Sequence, residues 1–402
     1  MIMKKYLADL FILLWCIYFI SQYLNLPSSI QLSLLSFIYL WSFVTLYYIH
    51  RTGNVSKLII SLDLLILMFS IYGFYYILTG EQYRTHQNEA VKSSAYLVSI
   101  YSSLLTFYPF YWYTVKRIVT LKTIRRWILL FFLIVIWGVF VQQERALELL
   151  FEEYGNNVNG EIVNNSSYQV LALLPLLTLL KKEYLKILGL LVCSYFIVIS
   201  FKRGPLLILT CCFVYYYIKY YYKTSSKSSK IWTTLLLVFA ILLVWHLITN
   251  VYLESEMFQF KLAKTLEGNS SGRDLIIEEL LSSFVDSSFI NQLFGFGANG
   301  TIKISGRLAH SDWVEILVNQ GLIGVMVFSF FCMQLIRIWR KEIKQKSENS
   351  TISVFVIIFL LTSAFSMAYN SIPFYEMLPF AFCVAINDKR HQMSYNYFRG
   401  KV

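Results

Sequence analysis

Charged residues are scarce in this 402-residue sequence and make up only 14% of it. A soluble domain carries about 25% charged residues, because it must solvate its whole surface. Hydrophobic residues account for 57% of the chain, and the mean hydropathy is +0.56. The shortage of charge therefore excludes an ordinary soluble domain and predicts a protein whose solvent is lipid.

Cysteine is scarce as well, and every cysteine lies inside an apolar run, which argues against a disulfide framework or a zinc site. The six residues are Cys16, Cys193, Cys211, Cys212, Cys332 and Cys383. The sequence also lacks an HExxH motif and has no acidic pair of the DxD kind in an outer segment. We therefore predict neither a metal nor another cofactor.

Long apolar runs are what the sequence does contain, and they predict an all-α polytopic membrane protein with about twelve transmembrane helices. The first run has no small-residue cleavage site after it, so a retained helix is expected rather than a signal peptide. The runs lie near 6–24, 32–49, 58–78, 92–114, 127–143, 167–180, 184–200, 205–222, 231–248, 313–336, 351–369 and 372–386.

The basic residues predict the orientation of these helices. If Lys4 and Lys5 are cytoplasmic, the segments on that side hold most of the 35 lysines and arginines. The positive-inside rule then supports twelve spans with both termini in the cytoplasm. The same distribution explains the net charge of +12 without a nucleic-acid partner.

Two predicted outer loops stand out. The loop near 144–166 is acidic, and the loop near 249–312 is the longest hydrophilic stretch of the chain. Within the long loop, an apolar stripe predicts a short amphipathic helix, and Leu293–Gly300 (LFGFGANG) predicts a tight turn that glycine permits. The stripe consists of Ile276, Ile277, Leu280, Leu281 and Phe284. We predict a folded re-entrant module and a division into 1–248, 249–312 and 313–402.

Two arginines lie at the predicted outer face. Arg203 follows the seventh span, where it is either a snorkelling side chain or a fixed cation for an anionic lipid-linked group. Arg273 begins the amphipathic helix, where it is either a surface arginine paired with Asp274 or Glu278, or a clamp for a diphosphate. Residue type alone leaves both alternatives open.

His310 lies where the long loop meets the tenth span. It is either a hydrogen-bonded interface histidine or a general base, since imidazole exchanges protons near neutral pH. Ser311 or Asp312 is expected to cap the tenth helix, and Glu315 either orients His310 or neutralises an arginine. Asp63, in the inner half of the third span, is interpreted as structural and paired with a polar neighbour.

Four motifs follow one another on the predicted outer side. They are S-x-x-R-G at Ser200–Gly204, S-G-R-D at Ser271–Asp274, F-G-x-G at Phe294–Gly297, and A-H-S-D-W-x-E-I-L-x-x-x-G-L-I-G at Ala309–Gly324. In this order and spacing they resemble the O-antigen polymerase and ligase superfamily. The resemblance covers roughly residues 195–330.

The resemblance implies a GT-C-like glycosyltransferase that polymerises undecaprenyl-diphosphate-linked oligosaccharide repeat units into O-antigen or capsule on the outer leaflet. Carried over by motif, the catalytic residues are Arg203, Arg273 and His310. Lys202 stands between the serine and the arginine of the first motif and is expected to bind substrate, with Asp312 and Glu315. The implied transfer is inverting and independent of metal.

The same resemblance implies the setting of the reaction. The lipid-linked oligosaccharide is both donor and acceptor, and the protein resides in the inner membrane of a bacterium. A chain-length regulator and a flippase of the same pathway are the expected protein partners.

Two other functions remain open. A ligase of the same superfamily would pass the finished glycan to a different acceptor. A flippase or transporter would place its ionisable residues near the bilayer midplane. Because the polar residues here gather at the predicted outer face, the sequence favours an outer-leaflet enzyme.

Overall fold

Helices dominate the protein. The computed structural model describes residues 2–53, 55–85, 90–154, 166–200, 202–223, 242, 273–344 and 351–367. The predicted span near 372–386 lies outside the described residues, as do the span near 231–248 except for residue 242 and the beginning of the long loop, 249–272.

The helices fall into an amino-terminal and a carboxyl-terminal set. The first set is α1 (Ile2–Tyr23), α2 (Ser28–Arg51), α3 (Lys57–Thr79), α4 (Ser93–Leu104), α5 (Phe107–Val115), α6 (Leu121–Tyr154), α7 (Ser166–Leu177), α8 (Glu183–Ile199) and α9 (Arg203–Lys223). The second set is α10 (Arg273–Val285), α11 (Phe289–Phe294), α12 (Gly300–Ser305), α13 (Asp312–Lys344) and α14 (Thr351–Phe365). Between α3 and α4, β1 (Tyr83–Arg84) pairs antiparallel with β2 (Ala90–Val91).

Within the described ranges, five helices are long and apolar enough to cross a membrane, and four shorter helices are also apolar. The long segments are Tyr6–Tyr23, Ser28–Arg51, Lys57–Thr79, Lys122–Gln142 and Asp312–Lys344. The shorter ones are Ser167–Leu177, Tyr184–Val198, Gly204–Tyr215 and Thr351–Phe365. The predicted class, an all-α membrane protein, is confirmed, whereas the described residues do not establish the number twelve.

Two amino-terminal predictions differ from the structure in detail. The span predicted near 92–114 is two helices, α4 and α5, that meet at Leu105. Pro109 lies in the first turn of α5, and because it has no N–H, the Leu105 carbonyl accepts from the Tyr108 main-chain N–H over 3.2 Å instead. Residues 144–154 of the predicted acidic loop instead continue α6 as helix.

The tenth predicted span, near 313–336, is not one continuous helix. At Gly321 the backbone has φ 68° and ψ −163°, which ends one helical segment and begins another. In a straight helix, Trp313 and Phe328 would be about 22 Å apart along the axis. Their ring centroids are instead 5.0 Å apart, so segment 312–320 folds back along segment 322–344.

The packed helices form a closed ring. In order around it, α1 packs against α6, α6 against α7, α7 against α14, α14 against α13, α13 against α3, α3 against α4, and α4 and α1 against α2. Helix α9 packs outside α7 and α14. Aromatic side chains fill the core on the α1 side of the ring, where Trp15 stacks on Phe131 with ring centroids 5.1 Å apart.

Contacts between helix ends follow the predicted alternation of loops. On the predicted inner side, the Arg125 guanidinium donates to the Leu179 carbonyl over 2.7 Å, and Thr178 is hydrogen-bonded to Thr351. On the predicted outer side, the Lys303 ammonium lies 3.4 Å from the Glu81 carboxylate. Loop segments predicted to lie on the same side of the membrane therefore contact each other. Which of the two sides faces the cytoplasm stays a prediction.

Candidate functional site

Helices α10, α11 and α12 fold onto the re-entrant segment of α13. The buried residues of α10 are Ile276, Leu280 and Phe284, which recur every four positions and so share one face. They pack against Ala309 and Val318 in a small second core. Burying each large apolar side chain stabilises this arrangement by roughly 1.5–3 kcal/mol. The predicted amphipathic helix is thus confirmed, and it anchors Arg273 at its first position.

The F-G-x-G turn binds the break in α13. The main-chain N–H of Phe296 donates to the Val318 carbonyl over 2.8 Å, and that of Gly297 donates to the Asn319 carbonyl over 3.0 Å. Because the helix ends at Gly321, these carbonyls are at a helix end and need donors from elsewhere. The predicted glycine turn is confirmed, and its function in the fold is to satisfy this end.

Glu315 fixes the main chain next to His310. Its buried carboxylate accepts hydrogen bonds from the Thr301 hydroxyl over 2.6 Å, the Asn319 amide over 3.0 Å and the Ala309 main-chain N–H over 2.9 Å. The sequence suggested a contact with His310 itself or with an arginine. The structure places the carboxylate beneath the loop, where it positions the residue before His310.

His310 lies in the connection between the loop and α13, with its side chain half-buried. Its φ of +55° is in the left-handed region, which costs a non-glycine residue of order 1 kcal/mol. The hydrogen bond between Glu315 and Ala309 fixes the residue before His310, and the start of α13 fixes the residues after it. Together they hold His310 in the left-handed conformation. The unusual conformation is therefore held by its surroundings.

Two cations act on the His310 ring. Burial lowers the pKa of His310 below its ordinary value, and the positive charges of Arg273 and Lys202 lower that pKa further. Each of these effects disfavours the imidazolium. The ring is thus neutral at neutral pH and able to accept a proton.

Arg273 reaches from α10 to the end of α14. Its guanidinium donates to the Phe365 carbonyl over 3.3 Å. Phe365 is the last residue of α14, and the carboxyl end of a helix carries a partial negative charge that attracts a cation. The exposed side chain thereby joins the loop to the rim of the helical ring.

Lys202 reaches the first turn of α7. Its ammonium lies 5.6 Å from the ring centroid of Tyr168, within the range of a cation–π contact. The Tyr168 hydroxyl lies near the Ser366 side chain, next to the residue that holds Arg273. Neither Tyr168 nor Ser366 could be selected from the sequence, because one tyrosine among 30 at a predicted helix end carries no distinguishing signal.

The structure places the other predicted site residues differently. Arg203 begins α9, and its side chain lies outside the described part of the structure, so its role stays a prediction. Asp312 begins α13 and is fully buried, as is Glu315. Arg273 and Lys202 are therefore the predicted site residues whose charges act on His310.

This arrangement suits an anionic substrate with a hydroxyl partner. Two cations bind phosphate oxygens, arginine in a bidentate fashion, and a neutral imidazole accepts a proton from a hydroxyl. Across the described ranges, acidic, histidine and cysteine side chains do not form a group of three that could hold a metal ion. The expected independence of metal stays a prediction.

The fold and the site together define a class of protein. It is an all-helical membrane protein with a basic site beside a folded loop. Within that class, residues 188–329 match the family model described as O-Antigen ligase. None of the curated proteins matches the chain. The family match confirms the resemblance to the O-antigen polymerase and ligase superfamily, and all six predicted site residues lie inside it.

The family implies a glycosyltransferase-like enzyme of glycan assembly that acts on lipid-linked glycans. The family indicates a ligase or a polymerase type of function and does not decide between the two. The matched region runs from within α8 to beyond the break in α13, whereas Tyr168 and Ser366 lie outside it.

Proposed function

We propose that the protein polymerises oligosaccharide repeat units linked to undecaprenyl diphosphate, on the outer leaflet of a bacterial inner membrane. The observation that carries this proposal is the convergence of Arg273 and Lys202 on a neutral His310. A diphosphate leaving group needs positive charge, and an attacking hydroxyl needs a base, and this centre offers both. The family match supports the same substrate class.

The proposed reaction is a direct displacement at the anomeric carbon of the donor glycan. The acceptor hydroxyl oxygen forms a bond to that carbon while the bond to the diphosphate oxygen breaks. The electron pair stays on the diphosphate, where Arg273, Lys202 and Arg203 stabilise the charge that develops. The hydroxyl proton passes to the free nitrogen of His310. In-line attack of this kind inverts the anomeric centre.

The remaining residues and regions have supporting parts in the proposal. Glu315 and Asp312 shape the re-entrant segment beneath His310 rather than bind substrate from an open position. We assign residues 249–312 to the large outer loop, between the spans of 1–248 and those of 313–402. Both chain termini lie in the cytoplasm, as the distribution of basic residues favours.

The test is chain extension by purified enzyme in lipid nanodiscs. The substrate is the undecaprenyl-diphosphate-linked repeat unit isolated from cells in which the gene for this protein is deleted. We expect His310→Ala and Arg273→Ala to lower the rate of extension at least about 100-fold, the range seen when a proton acceptor or charge stabiliser is lost. Single repeat units would then persist where the unaltered enzyme gives a ladder.

The matched control is Arg307→Ala. Arg307 is an exposed arginine of the same loop, three positions from His310, and its charge is not among those that act on the His310 ring. We expect it to extend chains at the unaltered rate. A full ladder from both His310→Ala and Arg273→Ala would reject the proposal.

A ligase is the second candidate, because the matching family model is described as O-Antigen ligase. A ligase would use the same cations and base but would need a separate acceptor. Extension of the lipid-linked unit when it is the sole substrate favours the polymerase. Transfer that occurs only after an unrelated acceptor is added favours the ligase.

A further inference from the structure

Tyr168 contacts both sides of the cationic site although it lies outside the family match. It sits in the first turn of α7, with a half-buried side chain. Its ring faces the Lys202 ammonium at 5.6 Å, and its hydroxyl lies near the Ser366 side chain. The face of an aromatic ring attracts a cation, so the ring offers Lys202 a definite position.

The S-x-x-R-G segment packs closely against Tyr168 at Gly204. A Cβ atom added at Gly204 would lie 2.8 Å from the Tyr168 hydroxyl oxygen. Any larger residue would have to displace the tyrosine or the start of α9. The glycine next to Arg203 therefore allows the segment that carries Lys202 and Arg203 to rest against the Tyr168 hydroxyl.

The carboxyl end of α14 joins Tyr168 to the second cation. Phe365 accepts the hydrogen bond of Arg273, and Ser366, the next residue, lies near the Tyr168 hydroxyl. The Arg273 charge also acts on Tyr168 directly. Two cations close to one histidine repel each other, so a site without substrate needs neutral groups that hold them in place. The Tyr168 ring and the Phe365 carbonyl are such groups.

We propose that Tyr168 is a positioning residue that holds Lys202 and Arg273 beside His310, so that the diphosphate site is assembled before substrate binds. This inference rests on the proposed function. Tyr168 lies outside the region that matches the family model, yet under this inference it positions residues inside that region. Tyr168 contacts Lys202 directly and lies beside the end of α14 that binds Arg273, so its part is to position these cations.

The experiment compares Tyr168→Leu and Tyr168→Phe in the extension assay with the isolated lipid-linked repeat unit. Tyr168→Leu removes ring and hydroxyl, and we expect kcat/KM to fall roughly 10–100-fold, as for a small misplacement of binding groups. Tyr168→Phe keeps the ring for Lys202 and should lose less. The matched control is Tyr184→Leu, because the Lys182 ammonium lies 5.5 Å from the Tyr184 ring on the opposite, predicted inner side.

The pH profile separates positioning from a merely structural role. Arg273 of α10 and Lys202 before α9 are the charged groups that act on His310, and both lower its pKa. If Tyr168→Leu lets them move away, the pKa of His310 rises and the acid limb of kcat/KM moves to higher pH. A loss of activity with an unmoved acid limb, or no loss in folded Tyr168→Leu, would overturn the inference.

Failure of the inference and failure of the proposed function give different results. Full activity in His310→Ala and Arg273→Ala removes the proposed function and the inference with it. Loss of activity in those two variants, with unchanged Tyr168 variants, removes the inference alone. If Tyr168→Leu does not fold, Tyr168→Met, which also removes the ring, decides: an acid limb moved to higher pH supports positioning, and the unaltered profile overturns it.

Discussion

Gly295 and Gly321 lie back to back, with the F-G-x-G turn on one side and the break in α13 on the other. A Cβ atom added at Gly321 would lie 2.4 Å from the Leu293 carbonyl oxygen, and one added at Gly295 would lie 2.3 Å from the Asn319 carbonyl oxygen. Both glycines have positive φ, at 68° and 77°. The loop can reach the carbonyls of α13 only because neither position carries a side chain.

Gly321→Ala should therefore destabilise the protein far more than an ordinary glycine substitution. Its Cβ meets main-chain atoms that cannot rotate away, and we expect a loss of at least about 2 kcal/mol. Gly53→Ala is the matched control, since Gly53 has φ +65° with nothing within 4 Å of the added atom, and should lose about 1 kcal/mol. Thermal unfolding of the detergent-solubilised protein measures both; equal losses would contradict the close contact.

Glu315→Gln should loosen the loop around His310. Both carboxylate oxygens face donors, so the amide nitrogen of glutamine would point at a donor and leave it unsatisfied. We expect a cost of roughly 1–3 kcal/mol. Hydrogen exchange over residues 300–310 should accelerate, whereas Glu279→Gln on the exposed face of α10 should leave it unchanged. Unaltered exchange in Glu315→Gln would show that the carboxylate does not hold the loop.

Lys202→Met should change the pH dependence of activity. Proton acceptance needs neutral His310, so activity falls as pH drops through the pKa of this histidine. That pKa lies below its ordinary value, partly because of the Lys202 charge. Removing the charge raises the pKa, and the acid limb should move to higher pH. Lys303→Met, which changes an exposed lysine of the loop that carries His310, is the control, and an unmoved limb in Lys202→Met would refute the assignment.

Asp63→Ala should lower stability without changing the activity of the molecules that fold. The Asp63 carboxylate accepts a hydrogen bond from the Tyr108 hydroxyl and lies 3.0 Å from His50, which confirms the predicted structural pairing. The loss leaves the buried hydroxyl unsatisfied, at a cost of roughly 1–3 kcal/mol. A double-mutant cycle with Tyr108→Phe should show coupling, and additive losses would indicate that the pair does not interact.

The sequence by itself determined the class of protein and most of the residues at the site. Long apolar runs and few charges permit only helices in lipid, because every main-chain polar group must be satisfied within its own segment. The order of four short motifs indicated the superfamily and selected Arg273, His310 and Lys202. Apolar runs and short motifs each involve residues that are close together in the chain. They can therefore be recognised without knowledge of the fold.

Only the tertiary structure decided how those residues meet. The reversal at Gly321 could not be predicted, because an apolar run with one glycine has the same hydropathy whether the helix continues or folds back. The contacts of Tyr168 with Lys202 and with Ser366 join positions far apart in the chain, and no periodic pattern records such a pairing. Glu315 was expected near His310 or an arginine. Its burial beneath the loop followed from three donors that only the folded chain brings to its carboxylate.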